Sequence, residues 1–443
     1  MKKFIETIGN IWKIDELRSK IILTLGLLLV FRLGTHIPLP GIDINKLSGL
    51  QEQTEGGIGW LINVFTGGAF SQASVFALGI MPYISASIVV QLMGIAVPYL
   101  QKLQKDGESG RKTINQITRW LTIVITLVQG PGYIYNLSRQ VPDAFLMEPS
   151  SFSFIFSSVI ILSTGTIFAM WLGEKITDKG IGNGISLLIM VGILATMPQM
   201  FVQEIGYRTA GNGGIMLLFI EVILWLLVIV ACVYLVQAVR KVPVQYARRT
   251  VSGVFEEGNR QWIPLKVNAS GVMPIIFAQA IMFVPAALAG FSESDTAQSL
   301  SSVFTDIFGF WYNFVFGLLI LLFTFFYTAI TVPTNKMADD LKRSGGFIPG
   351  IKPGTETADF LDRIMSLITL PGSVFLVIIA VLPAIVVNLL DMQQGWAMFY
   401  GGTSLLIMVG VAIDTIQQVN AYLLNREYDG LMKTGRNRKS ISE

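Results

Sequence analysis

Few residues in this sequence could carry out chemistry on a substrate. The chain has one Cys, Cys232, and one His, His36. Zinc and iron–sulfur sites draw several ligands from these two residue types, so neither kind of site is expected. A zinc enzyme or an iron–sulfur protein is therefore not expected. We also predict no catalytic residue, no metal ligand and no cofactor, and we expect that the protein is not an enzyme.

Two glycine-rich stretches superficially resemble phosphate-binding loops. Gly180-Ile-Gly-Asn-Gly184 has its third glycine one position too early for a dinucleotide loop, and a tight turn between two apolar segments explains it better. Gly253-Val-Phe-Glu-Glu-Gly258 has the spacing of an ATP-binding loop, but Asn259 stands where the phosphate-binding Lys is required. ATP binding is therefore not expected.

The composition indicates a membrane protein. Hydrophobic residues make up 52% of the 443 residues and charged residues 14%, against about 25% charged in an ordinary soluble protein. Such a chain has too little charge to cover its surface in water. Runs of about 20 apolar residues can cross a bilayer as helices. Ten such runs are predicted near residues 21–38, 74–99, 116–135, 152–172, 181–201, 215–239, 271–291, 309–332, 365–390 and 396–418.

The distribution of Lys and Arg predicts the orientation of these spans. With the N-terminus inside, the six internal segments hold 28 Lys and Arg residues and the five outer loops hold 3. Basic residues collect on the cytoplasmic side of membrane proteins. The bias predicts ten spans with both termini in the cytoplasm.

One uncharged stretch is too long for a single span. Residues 56–101 carry no charge, and as one helix they would be about 69 Å long, more than twice the thickness of the hydrocarbon core. The first part, Trp60–Phe70, is short, mildly polar and broken by Gly67 and Gly68. We interpret it as a re-entrant segment beside a cavity; an interfacial helix is the alternative.

Other features leave alternatives open. Apolar residues between Phe4 and Ile14 recur at helical spacing, which fits an amphipathic surface helix or a short packed helix. We do not expect a cleaved signal peptide there. The charges in or near the spans, at Arg32, Arg119, Glu221 and Asp414, favour structural roles over a proton pathway.

Two internal loops, 240–266 and 333–364, are long for a helical membrane protein. Connections between helices usually have 2–8 residues. Both loops are basic, which predicts a docking surface for an acidic partner, RNA or anionic lipid.

Aliphatic residues are paired at one-turn spacing in two spans. Ile80 and Ile84 flank Pro82, and Val272 and Ile276 flank Pro274. Residues four apart share one face of a helix. The spacing by itself does not separate a pore lining from ordinary packing.

Taken together, many short motifs in order resemble the SecY family of protein-conducting channels. The resemblance runs along nearly the whole chain. It rests on Phe31-Arg-Leu-Gly34, His36-Ile-Pro-Leu-Pro-Gly-Ile-Asp43, Gly67-Gly-Ala-Phe-Ser-Gln-Ala-Ser74, Ala77-Leu-Gly-Ile-Met-Pro-Tyr-Ile-Ser-Ala-Ser87, Gly107-Glu-Ser-Gly110, Trp171-Leu-Gly-Glu174, Gly180-Ile-Gly-Asn-Gly-Ile-Ser186, Tyr246-Ala-Arg-Arg249, Leu265-Lys-Val-Asn268, Phe347-Ile-Pro-Gly-Ile-Lys-Pro-Gly354 and Gly401-Gly-Thr-Ser-Leu-Leu-Ile407.

The resemblance implies an all-α membrane protein with ten transmembrane helices in two inverted five-helix halves, 1–205 and 206–443, around an hourglass pore. It implies a channel that passes unfolded secretory polypeptides across the membrane and releases membrane segments laterally into it. The implied sites are a pore ring (Ile80, Ile84, Ile189, Val272, Ile276, Ile407), a plug helix at about 60–70 (Leu61, Ile62, Asn63, Val64, Phe65, Thr66, Gly67), and a lateral gate (Ser85, Gln91, Asn268, Val284).

The same resemblance implies the partners and the location. The basic loops, with Arg248, Arg249, Arg343, Lys352 and Arg363, would receive the ribosome and its RNA or the SecA motor ATPase. Lys352 stands where bacterial relatives typically have Arg, and Lys lacks the planar fork of a guanidinium.

The other implied partners are SecE-like and SecG-like small subunits, signal sequences, unfolded preproteins and lipid. The implied location is the bacterial cytoplasmic membrane, with a plastid membrane as the alternative. A secondary transporter for small solutes is the competing class. It would be expected to carry a polar site at mid-membrane.

Overall fold

The structure, a computed structural model, is predominantly helical over the residues that it describes, which are 12, 14–47, 58–148, 151–211, 213–246, 261–289 and 306–439. Most of the predicted N-terminal amphipathic segment lies outside these ranges. Gly253–Gly258 and the basic pair Arg248 and Arg249 lie outside them as well.

The described elements follow the chain in a simple order. The helices are α1 (Asp15–Gly34), α2 (Ile58–Phe65), α3 (Met81–Ala96), α4 (Pro98–Lys105), α5 (Gly107–Gln140), α6 (Phe152–Lys179), α7 (Gly184–Thr209), α8 (Gly214–Gln237), α9 (Met273–Ala289), α10 (Phe310–Thr331), α11 (Thr334–Arg343), α12 (Thr355–Leu390), α13 (Gln394–Ala397) and α14 (Gly402–Lys439). The strands are β1 (Val239–Tyr246), β2 (Gln261–Lys266) and β3 (Gly346–Phe347).

Every predicted span overlaps a helix. Within the described residues, six helices are long and apolar enough to cross a membrane (α6, α7, α8, α10, α12 and α14), and the bent pair α3–α4 would make a seventh. The pair bends by 102° because Val97, which precedes Pro98, is held in an extended conformation. The predicted class, an all-helical integral membrane protein, is confirmed.

The second predicted span begins later than its hydropathy indicates. Residues 66–80 form successive turns, and helix α3 starts only at Met81. Pro82 is therefore in the first turn of its helix, and Pro274 is likewise in the first turn of α9. Proline is tolerated there because the first N–H groups of a helix have no intrahelical partner. Both prolines lie inside the spans predicted from hydropathy, at 74–99 and 271–291, but at the start of their helices.

The chain forms two compact units. Unit 1 comprises Met1–Val202 and Val411–Glu443, and unit 2 comprises Gln203–Gly410. Helices α7 and α14 each pass from one unit into the other.

Glycines permit close packing in unit 1. A Cβ on Gly165, in α6, would come within 2.2 Å of the Val75 carbonyl oxygen, and one on Gly184 would come within 2.0 Å of the Gly173 oxygen. Both distances are far below van der Waals contact, so only glycine fits these positions. In membranes, where lipid is as apolar as the side chains, such small residues allow the close packing that holds helices together.

The glycine-rich turn Gly180–Asn183 is a hairpin between α6 and α7, as predicted. The Ile181 N–H donates to Thr24 Oγ1 of α1 at 3.1 Å, and the Gly182 N–H donates to Gln418 Oε1 of α14 at 2.8 Å. The amide groups that a phosphate would need are thus committed to neighbouring helices. The turn ties together three parts of unit 1.

In unit 2, the long basic loops contain regular structure. Strand β1 pairs antiparallel with β2, from Val239 opposite Lys266 to Val244 opposite Gln261, and with β3 on its other edge. Helix α11 and the first turns of α12 cover this sheet. Their apolar side chains share one core, composed of Val242, Val244, Leu265, Leu341, Ile348, Leu361 and Met365. The loops are long because they build this small sheet-and-helix layer.

The glycine packing gives the first prediction. Gly165→Ala should destabilise the protein by about 1–3 kcal/mol, because the added methyl overlaps the Val75 carbonyl. The matched control is Gly26→Ala in α1, where a Cβ would meet nothing within 4 Å; it should leave stability unchanged or raise it slightly. Thermal unfolding in detergent measures both. Equal midpoints for the two variants would contradict this packing.

Candidate functional site

The predicted plug contains a short helix separate from the second span. Helix α2 ends at Phe65, and Gly67 and Gly68 then reverse the chain with φ of +67° and +90°. Asn63 and Val64 are buried, with 4% and 2% of their surface exposed. This burial favours the re-entrant interpretation over a helix lying on the membrane surface. The burial of Leu61 is outside what the structure describes.

An arginine from α1 holds the end of the plug. Arg32 Nη1 donates to the carbonyl oxygen of Gly67 and, at 3.3 Å, to Thr35 Oγ1. The half-buried guanidinium thus satisfies a backbone carbonyl at the turn. The sequence marked Arg32 as a charge within a span, and the structure supplies its partner.

Side chains of the plug complete the turn. Asn63 Oδ1 accepts a hydrogen bond from the Ser71 N–H at 2.9 Å, and the Thr66 hydroxyl donates to the Ile62 oxygen at 2.9 Å. Tyr133 of α5 donates its hydroxyl to the Phe70 oxygen at 2.8 Å. Non-helical backbone in a membrane protein requires such internal partners.

Within unit 1, the plug lies next to the elements that carry the predicted ring residues. A Cβ on Gly192 would be 2.7 Å from the Phe65 oxygen, and Gly192 is one turn along α7 from Ile189. A Cβ on Gly79 would be 2.7 Å from Thr66 Cγ2, and Gly79 directly precedes Ile80. The plug end therefore contacts both ring-bearing segments of this unit.

The two units contain the same local motif at their predicted ring residues. Unit 1 has Gly79-Ile-Met-Pro-Tyr-Ile84 and unit 2 has Gly271-Val-Met-Pro-Ile-Ile276. Both glycines have positive φ, +53° and +63°. In each motif the sixth residue donates its N–H to the carbonyl of the second, at 3.0 Å from Ile84 and 3.3 Å from Ile276. The paired aliphatic residues thus occupy the same place at the start of their helices.

The remaining predicted ring residue of unit 2 is Ile407. It is 3% exposed and lies in the second turn of α14. A Cβ on Gly410, one turn further, would be 3.3 Å from Val272 Cγ2. Val272 is thus held beside the same part of α14 that carries Ile407.

Three of the four predicted lateral-gate residues, Ser85, Gln91 and Asn268, are polar and partly buried. Ser85 and Gln91 are on α3, where Gln91 donates to Ser87 Oγ at 3.1 Å. Asn268 precedes α9 and accepts from Ser270 Oγ at 3.3 Å. Val284 is within α9, but its side chain is outside what the structure describes.

Three of the predicted docking residues are described, and all are exposed. Arg343 ends α11, and Arg363 is in α12. Lys352 pairs loosely with Glu356, with 3.7 Å between Nζ and Oε1.

Three ion pairs of helical residues were not anticipated. Arg119 of α5 forms a bidentate pair with Glu174 of α6, with distances of 3.0 and 2.6 Å. Arg208, which the charge count had assigned to a short loop, is a buried residue of α7 that pairs with Glu204 and Glu221. The spacing of Glu204 and Arg208, four residues apart, was a visible signal, but their partner Glu221 is brought near only by the fold.

Comparison with known proteins identifies the family. The SecY family model matches residues 74–416. The protein translocase subunit SecY of Streptomyces scabiei is 39% identical over 434 residues, covering 95% of this chain and 98% of that protein.

Two solved structures share the fold. One matches with a TM-score of 0.60 and 18% identity, covering 91% of this chain and 92% of that one. It is the structure of a SecY protein whose plug domain stabilises the closed state of the translocation channel and maintains a membrane seal. The channel of the canine ribosome–channel complex from the endoplasmic reticulum matches with a TM-score of 0.57 and 17% identity over the same shares. The family match over most of the chain and the near-complete alignment with a translocase subunit establish that this chain belongs to the SecY family.

Proposed function

We propose that this protein-conducting channel is closed at rest by two barriers: a ring formed by Ile80, Ile84, Ile189, Val272, Ile276 and Ile407, and the plug at about 60–70. The observation that supports the proposal is the packing of the plug end against Gly79 and Gly192. Gly79 directly precedes Ile80, and Gly192 is one helical turn from Ile189.

The physical basis of the ring is dewetting. A narrow passage lined by aliphatic side chains excludes water and hydrated ions, because neither finds a hydrogen-bond partner there. Aliphatic side chains of this kind have no chemical preference for one peptide sequence. They suit a channel that must pass many different polypeptides and seal again afterwards.

The plug is the second barrier, and Arg32 is its anchor. The guanidinium binds the Gly67 carbonyl at the point where the chain leaves α2. A hydrogen bond from a charged donor is about twice as strong as a neutral one. Displacing the plug requires this bond to break, so Arg32 favours the closed state.

Entry of a signal sequence opens the lateral gate between the second and seventh spans. A signal sequence is an apolar helix of about one span, and it competes for the position between α3 and α9, near Ser85, Gln91, Asn268 and Val284. Opening is a population shift, driven by tighter binding of the signal to the open state.

The partners supply energy and substrate. The exposed Arg343, Lys352 and Arg363, with Arg248 and Arg249, receive the ribosome or the SecA motor ATPase on the cytoplasmic side. SecE-like and SecG-like subunits complete the complex in the bacterial cytoplasmic membrane. The chain itself acts as a conduit and is not an enzyme.

The ring assignment predicts the effect of a polar substitution. Ile84→Asn or Ile407→Asn places an amide in the dewetted passage, so resting ion conductance should rise several-fold and a substrate with a defective signal should be exported. Ile84→Leu keeps the passage apolar and serves as the control. Conductance of the reconstituted complex and export in cells measure the two effects. Unchanged values in both Asn variants would refute the ring.

The anchoring of the plug predicts a role for Arg32. Arg32→Met removes the donor to the Gly67 carbonyl and keeps an apolar stem of similar length, so the plug should leave its seat more often. Val64→Cys, buried at rest, should then react several-fold faster with a membrane-impermeant maleimide. The native Cys232 is 0% exposed and should add little background. Arg18→Met, an exposed change on the same helix, is the control. Equal labelling rates in the two backgrounds would exclude an anchoring role.

The docking assignment predicts a salt-dependent loss of binding. The double variant Arg248→Glu with Arg249→Glu should weaken binding to ribosomes, and each lost phosphate contact should reduce the slope of log affinity against log salt by about 1. Lys46→Glu with Arg139→Glu changes the net charge equally on the predicted outer side and is the control. Lys352→Arg should strengthen binding or leave it unchanged. Indistinguishable salt curves for the two double variants would exclude docking at Arg248 and Arg249.

A further inference from the structure

A cluster of charges is buried in unit 2, where α7 ends and α8 begins. Arg208 Nε lies 2.9 Å from Glu204 Oε1, one turn earlier in α7, and Arg208 Nη2 lies 2.6 Å from Glu221 Oε1 of α8. The three side chains are 2%, 0% and 0% exposed, respectively. Together they place two carboxylates and one guanidinium out of contact with solvent. We call this trio the clasp.

Such a cluster needs an explanation beyond stability. Removing charges from water is costly, and apolar side chains of similar size often pack as stably as a buried ion pair. Ionic groups add geometric specificity, because each donor and acceptor fixes the position of its partner. The backbone groups that the clasp binds are therefore informative about its role.

The clasp grips the backbone on both sides of one residue. Arg208 Nη2 donates to the Leu390 oxygen at 2.9 Å, and Glu204 Oε2 accepts from the Gln393 N–H at 3.1 Å. Between these two contacts, Asp391 has the left-handed conformation, with φ of +48° and ψ of +52°. Many helices end with a residue in this conformation, and Asp is one of the few non-glycine residues that adopt it. The clasp thus fixes the turn that ends α12.

The segment after this turn leads to a ring residue. Trp225 of α8 donates its indole N–H to the Phe399 oxygen at 2.9 Å. A Cβ on Gly401 would come within 2.2 Å of the Ile379 oxygen, so the segment is packed directly on α12. Gly402 then begins α14 with φ of +62°. Ile407 follows five residues later, about 7.5 Å along the helix axis.

We propose that Glu204, Arg208 and Glu221 position the turn at Asp391 and, through residues 392–401, the start of the helix that carries Ile407. Arg208 is then a positioning residue for closure of the channel. The inference rests on the proposed ring, because its effect is exerted through Ile407. Loosening the clasp lets the start of α14 shift, and the passage seals less well.

The test measures resting ion conductance per channel in the reconstituted complex, at matched amounts of protein, together with export of a defective-signal substrate. Arg208→Met should raise both several-fold. Arg139→Met is the control, since Arg139 is an exposed arginine near the end of α5 that stacks on Tyr135. Conductance and export equal to those of the control would overturn the proposal.

Arg208→Met leaves two buried carboxylates without their cation and can fail to accumulate. Two further variants then decide. The charge-free variant, Arg208→Met with Glu204→Gln and Glu221→Gln, leaves no uncompensated charge, and Trp225→Phe keeps the clasp but removes the bond to Phe399. A rise in conductance in the charge-free variant supports the positioning role, and a rise in Trp225→Phe supports the route from the turn through residues 392–401 to α14. Wild-type conductance in both would show that the cluster serves folding alone.

Ile407→Asn, measured in parallel, separates this inference from the proposed function. If Ile407→Asn conducts ions and the clasp variants do not, the ring stands and the positioning role is wrong. If Ile407→Asn has the resting conductance of the wild type, the ring assignment fails, and the inference fails with it.

Discussion

The structure depends on one constraint: within a bilayer, every backbone polar group needs a partner inside the protein. Helices meet this requirement locally, which is why they make up most of the chain. Residues 66–80 are the instructive exception. Their turns are satisfied by neighbours, with the Leu39 N–H donating to the Ala73 oxygen at 2.8 Å and the Val75 N–H to the Ile37 oxygen at 2.9 Å. A non-helical plug segment is possible because the surrounding chain replaces water as its hydrogen-bond partner.

Charged side chains within the spans obey the same constraint. Arg32 binds a carbonyl of the turn after α2, Arg119 pairs with Glu174 between two helices, and Arg208 joins two glutamates to the turn at Asp391. In each of these three cases a charge fixes a non-helical segment or the relative position of two helices. Arg32, Arg119 and Glu221 therefore have structural partners, whereas the structural role predicted for the exposed Asp414 stays a prediction. In the buried trio, Glu204 and Arg208 lie near the end of α7 and Glu221 lies in the third turn of α8, and the three side chains pair with one another.

Much of the fold could be predicted from the sequence, because hydropathy over about 20 residues and the Lys and Arg bias report directly on membrane crossing. The late start of α3 could not, since residues 74–80 are as apolar as the helix that follows. The rule that places proline in the first turn, applied to Pro82, was the available signal. The sheet was not predicted because β1 and β2 alternate weakly between apolar and polar residues, and because β3 has two residues and lies about 100 residues further along the chain. The predicted site residues came from the family resemblance. The contacts of Arg32 with the Gly67 carbonyl and of Arg208 with Glu221 could not be predicted, because they depend on the tertiary fold.

The same four-residue pattern, a glycine, an aliphatic residue, Met and Pro, occurs at both predicted ring segments. Gly79 and Gly271 turn the chain with positive φ, and a helix begins two residues later with proline in its first turn. Ile80 and Val272 thus lie just before the first residue of their helices. The carbonyl of each accepts a hydrogen bond from the helix that follows. A residue in the middle of a helix can move only with the whole helix. One at the start can shift when the preceding segment shifts, and in unit 1 that segment is packed against the plug. The sequence Gly-(Ile/Val)-Met-Pro therefore places each predicted ring residue directly after a glycine turn. Under the proposed closure, displacement of the plug would shift Gly79 and loosen the ring without unfolding a span.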